Sequence, residues 1–230
     1  MRTSLRVAGW GTLGFAIAFF AMFVINALVN TVFVQYPEHP LAADMAADFG
    51  FGVLGTVLWS ICGVALGVAA VGLAAVTWRD AGAIGRICTL FGTIATAGWM
   101  LSGAAILAQR TPMLNDNIAA EHADAAAEGA VVEGLYLGIH MGGILFAIAA
   151  VPWLALAGIG AARGVSKIVA AMLWVAAIAP FAGFAILGAQ FGFLVVMVCF
   201  AVAGPVLLRR ARRDTAGGTA EPVATRAVEA

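Results

Sequence analysis

The chain has 230 residues, of which 63% are hydrophobic and 10% charged; its mean hydropathy is +1.02 and its formal net charge is zero. Soluble domains carry about 25% charged residues, so a chain this apolar lacks the polar surface that water requires, and a soluble globular fold is excluded. The basic residues are too few for the broad folded basic surface that nucleic acid needs, so no nucleic-acid partner is expected.

Six apolar runs follow one another, at about 10–34, 51–76, 87–107, 135–157, 168–187 and 193–208. They are close to or above the length of about 20 residues that crosses a hydrocarbon core of about 30 Å. Without water in that core each run must satisfy its own backbone, which favours helices. A barrel would need alternating strands of about 9–11 residues. The expected fold is all-α: a polytopic membrane protein with six transmembrane helices in one bundle over 1–208, then a basic and finally disordered tail over 209–230. The lipid bilayer is its first partner.

Arg2 and Arg6 precede the first run and resemble the n-region of a signal peptide. The apolar stretch after them exceeds an h-region of about 7–15 residues, so a retained signal anchor is the expectation. Asn26 and Asn30 stand one turn apart near the end of this span. Pro37 and Pro40 hold the start of the loop 35–50 extended, and 41–49 reads as a short interfacial helix. The second span carries Thr56, Ser60 and the pair Gly63 and Gly67. The third carries Thr89, Thr93 and Thr96 on one face, together with Ser102. Threonine hydroxyls in such positions can bond back to their own helix.

The loop 109–134 is the largest extramembrane segment. Asn115 or Asp116 is placed to cap a helix over 118–128 that runs on into the fourth span with a kink at Gly129. The fourth span opens with Gly134, Gly138 and Gly142, a strip of small residues suited to close helix packing, within the bundle or in a homo-oligomer or with another membrane protein. Near the opposite face, Glu133, Tyr136 and His140 share a stripe about 60° wide. Pro152 and Pro180 are expected to kink the fourth and fifth spans. A tight turn at 188–192 is required, because an unbroken helix from 165 to 208 would be about 65 Å long, twice a bilayer.

Arg209, Arg210, Arg212 and Arg213 follow the sixth span, where they suit an anchor on anionic lipid. With the amino terminus inside, Arg110 is the one basic residue that falls outside; the others share the inner side. This places both termini in the cytoplasm. Cys62, Cys88 and Cys199 all lie within apolar runs, contain no CxxC pair and imply no disulfide framework.

Six spans with cytoplasmic ends, a long acidic loop before the fourth span, and Glu133 and His140 flanked by glycines resemble uncharacterised bacterial six-helix integral membrane families of the domain-of-unknown-function class. The resemblance covers about 51–210 and rests on layout. It implies a bacterial cytoplasmic (inner) membrane location and supplies no catalytic residues. The composition, rich in Ala, Gly, Val and Arg, is similar to that of high-GC bacteria.

No nucleophile–base pair and no HExxH metal motif occurs, so no catalytic residue, metal or cofactor is expected. His39, Asp44, Asp48, Glu121, His122 and Asp124 in the outer loops read as solvated charge. The leading expectation is a non-enzymatic accessory, assembly or sensory component. The alternative is a small-solute or ion transporter or channel. Its polar site would lie in the outer half of the bundle, at Asn26, Asn30, Tyr136 and His140, since polar groups in a span usually face the interior or a wet cavity.

Overall fold

The computed structural model describes residues 1–28, 49–109, 125–182 and 189–216. They form six helices: α1 (Arg2–Leu28), α2 (Phe49–Thr77), α3 (Gly82–Gln109), α4 (Ala125–Gly164), α5 (Lys167–Ala182) and α6 (Ala189–Ala216). There is no strand among the described residues. Five of the helices hold stretches long and apolar enough to cross a membrane: Arg2–Ile25, Val53–Thr77, Gly82–Ala105, Met141–Gly164 and Gly192–Asp214. The chain is thus an all-α, multi-pass membrane protein.

The helices differ in extent from the six apolar runs in three places, the extension of α4 being an expected one. The described part of α5 has 16 residues; at 1.5 Å per residue this is about 24 Å, short of the hydrocarbon core. α4 has 40 residues and is about 60 Å long; its first two turns run through Gly129, ahead of the apolar segment. α6 continues to Ala216, so the arginines after the sixth apolar run lie on a helix and not in a tail. Pro152, Pro180 and Pro205 are accommodated inside helices. The expected interfacial helix at 41–49 falls almost wholly outside the described residues, as do the caps Asn115 and Asp116 and the tail beyond 216. The expected turn at 188–192 is corrected: 189–192 form the first turn of α6, whose apolar residues continue the helix back to Ala189.

Two turns are defined at one end of the bundle. After α2, Ala81 N–H bonds to Trp78 O at 3.2 Å, and Ala81 O accepts from Ile84 and Gly85 at 2.8 and 3.1 Å to begin α3. After α4, both Val165 and Ser166 donate to Ala161 O at 2.9 Å, and Ser166 O accepts from Ala170 to begin α5. These bonds satisfy main-chain groups that helix ends leave without a partner.

The helices pack in chain order around a closed ring, each against its sequence neighbours, with α6 returning to α1; α2 also touches α4. Close approach is made possible by small residues. A Cβ at Gly11 would overlap the backbone of Ala69, and one at Gly72 would overlap the backbone of Ala8. On the other side of α1, a Cβ at Gly9 would lie 2.8 Å from Leu208 Cγ, and one at Gly204 would lie 2.9 Å from Leu13 Cβ. Such backbone-level contact is what drives helix association where lipid offers no hydrophobic contrast. Ile17, Val64, Leu90, Ile148, Ile178 and Val198, one from each helix, are exposed and present the bundle's apolar exterior.

Candidate functional site

The centre of the ring is filled by aromatic side chains. Trp99 from α3 is fully buried and meets Phe15 (α1), Phe146 (α4) and Phe193 (α6) edge-on, with centroids 5.4, 5.6 and 5.5 Å apart. Phe15 also meets Phe200 at 5.5 Å, and Phe200 meets Trp153 at 6.3 Å. Edge-to-face pairs at these distances are a favourable packing geometry. Trp59 of α2 stacks on Trp99, and each indole bonds the other's main-chain carbonyl.

Polar groups are scarce in this interior. Among the described residues, Thr12 and Ser102 are the buried polar side chains. Thr12 donates to Ala8 O at 2.9 Å, and Ser102 to Gly98 O at 3.4 Å. The threonines of α3 behave alike: Thr89, Thr93 and Thr96 donate to Gly85, Thr89 and Gly92 carbonyls at 3.0, 2.9 and 2.8 Å. Their stripe returns its hydroxyls to its own helix.

The expected polar site is only partly visible. α1 runs through Asn26, and α4 through Glu133, Tyr136 and His140, but their side chains are outside what is described; Asn30 lies outside altogether. Thr56 and Ser60 are half-buried and line a shallow apolar depression of about 460 Å³ on the outer side of α2, together with Val57, Ile61, Val64 and Ala65. No metal-holding group of His, Cys, Asp or Glu occurs among the described residues. The outer-loop candidates His39, Asp44, Glu121, His122 and Asp124 lie outside them.

The glycines singled out in the sequence take different positions. Gly142 packs on α3, where a Cβ would fall 2.7 Å from both Gly98 O and Ser102 N. Gly138 would make ordinary contact with Ala105 Cβ at 3.5 Å, and Gly134 has nothing within 4 Å. On α2, Gly63 faces Met100, whereas Gly67 faces Thr96 Cγ2 at 3.6 Å.

Among the described residues, polar contacts between helices also gather at the basic end of the bundle. Side-chain contacts there tie α4 to α6 and to the end of α2. The Arg210 guanidinium of α6 donates to Val165 O and, at 3.1 Å, to Gly164 O, capping the end of α4 from 46 residues away. Arg163 on α4 sits 5.5 Å from the ring centre of Trp78, within cation–π range. The same indole donates to Leu156 O at 3.0 Å. Arg6 of α1 and Arg212 of α6 line one cleft between the two helices. Arg210 was grouped by sequence with Arg209, Arg212 and Arg213 as a lipid anchor; here it has an internal task, while those three remain outward on the helix. The roles of Trp59, Trp78 and Arg210 were missed, since each depends on a partner carbonyl distant in sequence. A repeated Trp-x-x-x-Gly spacing was the one available clue to the first. No family model, curated protein or solved structure matches the chain.

Proposed function

We propose that this protein acts without catalysis, as an accessory, assembly or sensory component of a bacterial cytoplasmic membrane, with both termini in the cytoplasm. The observation that carries the reading is the aromatic filling around Trp99. A ring of six helices closed on Phe15, Trp99, Phe146, Phe193 and Phe200 leaves its interior to packing, with Thr12 and Ser102 bonded to their own helices. Function then resides on surfaces: the outward helix faces, the outer loops and the basic end. The orientation rests on the gathering of Arg6, Arg163, Arg210 and Arg212 at a single end of the bundle, on the positive-inside rule.

The reading is tested in two steps. Purification in mild detergent from its native membrane, followed by reconstitution, should yield a stable partner complex and no solute or ion flux above empty vesicles. Flux that saturates with a solute and is lost in His140→Gln would replace this reading with the transporter alternative. For orientation, a background lacking Cys62, Cys88 and Cys199 should label Asn117→Cys from the periplasmic face and leave Ala83→Cys untouched. The opposite pattern overturns the topology.

A further inference from the structure

A cleft of about 300 Å³ opens between α1 and α6 at the basic end, lined by Arg6, Trp10, Leu208 and Arg212. The two helices run antiparallel there, and their sequences match level by level. On α1, Arg6 stands one turn before Trp10; on α6, Arg212 stands one turn after Leu208. The cleft therefore has two guanidinium groups at its outer mouth and an indole and an isobutyl group on the bilayer side. Its inner limit is set where Gly9 brings the two helices together against Leu208 and Gly204.

The charge at this mouth is unusual in being unspent. Arg210, two residues before Arg212, is committed to the carbonyls of Val165 and Gly164. Arg6 and Arg212 have no ion-pair or hydrogen-bond partner among the described residues, and no carboxylate lines the cleft. Trp10 is 61% exposed, a placement that suits an indole at the level of lipid head groups.

We infer that this cleft is a binding site for the phosphate head group of an anionic phospholipid. Arg6 and Arg212 grip the phosphate from two helices, and the acyl chain runs inward along Trp10 and Leu208. Guanidinium forks match phosphate oxygens in geometry as well as charge. The order of charge then apolar surface, read from the aqueous side toward the bilayer, is the order of groups in a phospholipid. A free phosphate would use the arginines alone and leave Trp10 and Leu208 without a role. The inference is independent of the accessory role proposed above: it needs only that α1 and α6 span a membrane.

Native mass spectrometry of the full chain in detergent provides the test, with phosphatidylglycerol or phosphatidylcholine of the same acyl chains added at equal concentration. The wild type should retain phosphatidylglycerol selectively, and Arg6→Gln with Arg212→Gln should weaken retention about ten-fold. Arg86→Gln, an exposed arginine on α3 outside the cleft, should change it little. The pair Arg6→Lys with Arg212→Lys, which keeps the charge but not the fork, should fall between the wild type and the glutamine pair, and serves if the glutamine pair fails to fold. Inorganic phosphate at millimolar concentration should not displace the lipid. Equal retention of both lipids, an undiminished glutamine pair with an intact fold, or displacement by inorganic phosphate would each overturn the assignment, the last in favour of a soluble anion site.

Discussion

Trp59 and Trp99 hold each other by mirrored bonds: the indole N–H of Trp59 donates to Trp99 O at 2.6 Å, and that of Trp99 to Trp59 O at 3.0 Å, with the rings stacked 4.5 Å apart. Four residues after each tryptophan stands a glycine. A Cβ at Gly103 would lie 2.5 Å from Trp59 Cδ1, and one at Gly63 would meet Met100 and, at 3.4 Å, Trp99 Cδ1. Each glycine thus clears room for the side chain coming from the other helix. The clasp joins α2 to α3 and fixes the tryptophan at the centre of the aromatic cluster.

The clasp makes Trp59→Phe and Trp99→Phe informative, because each removes one donor while keeping an aromatic ring. Interhelical hydrogen bonds in membranes average about 0.6 kcal/mol and reach about 1.7. Each single change should cost about 1–2 kcal/mol once lost ring volume is included. The double variant should cost less than the sum, by about 0.5 kcal/mol or more, since breaking one bond loosens the stack that aligns the other. Denaturant unfolding in micelles provides the cycle. Strict additivity would mean two independent bonds and no clasp.

Glycine position should predict tolerance better than glycine motif. Gly142→Ala must displace the backbone of α3 at Gly98 and Ser102, and Gly11→Ala the backbone of α2 at Ala69. Overpacking of this kind costs about 1–3 kcal/mol. Gly134→Ala, with open space around it, should be neutral or slightly stabilising through helix propensity. Gly63→Ala should fall between, because its obstacle is the flexible Met100 side chain. Melting temperatures of the four variants in one detergent rank them; a Gly134 variant as unstable as Gly142 would remove the basis of the ranking.

The contrast between these glycines shows what the sequence could carry. The helices were legible because a bilayer forces long apolar runs to bond internally, and the basic end because arginines mark one side of the membrane. The interfaces were not. Val64 is 64% exposed and Leu66 is fully buried, yet both are aliphatic, since a face turned to lipid and a face turned to protein want the same hydropathy. Only residue size separates them, so the triple glycine strip of α4 stood out. The contacts of Gly11 with Ala69 and of Gly72 with Ala8, which follow no Gly-x-x-x-Gly pattern, did not. The extension of α4 ahead of its apolar part was legible too, because Ala and Glu continue a helix readily. The polar residues Asn26, Tyr136 and His140 were legible as residues, and their side chains are not described.

Arg210 should differ from its neighbours. Arg210→Ala removes the donors to Val165 O and Gly164 O and should loosen the junction of α4 and α5, at a cost of about 1 kcal/mol given that the group is partly solvated. Arg209→Ala, exposed on the same turn, should cost little. Hydrogen exchange at Val165 and Ser166 should accelerate in the first variant alone. Equal exchange in both would mean that the guanidinium does not hold the turn.

Trp153 offers the opposite case to Trp99. It is fully buried, but its Nε1 has no hydrogen-bond partner among the described residues; a Cβ at Gly92 would lie 3.1 Å from that atom, so α3 passes close to it. An unmet buried donor costs about 1–3 kcal/mol. Trp153→Phe abolishes this cost and gives up some packing volume, which costs roughly 1 kcal/mol. The two nearly offset, and the variant should stay within about 1 kcal/mol of wild type while Trp99→Phe is clearly destabilised. The Cys88 thiol should be unaffected in its contact, since it reaches the main-chain oxygen of residue 153, at 3.8 Å, and not the ring. Parallel unfolding curves for the two tryptophan variants decide the matter. A Trp153→Phe protein that loses as much stability as Trp99→Phe would show that its indole N–H is satisfied in the membrane, by lipid or by water.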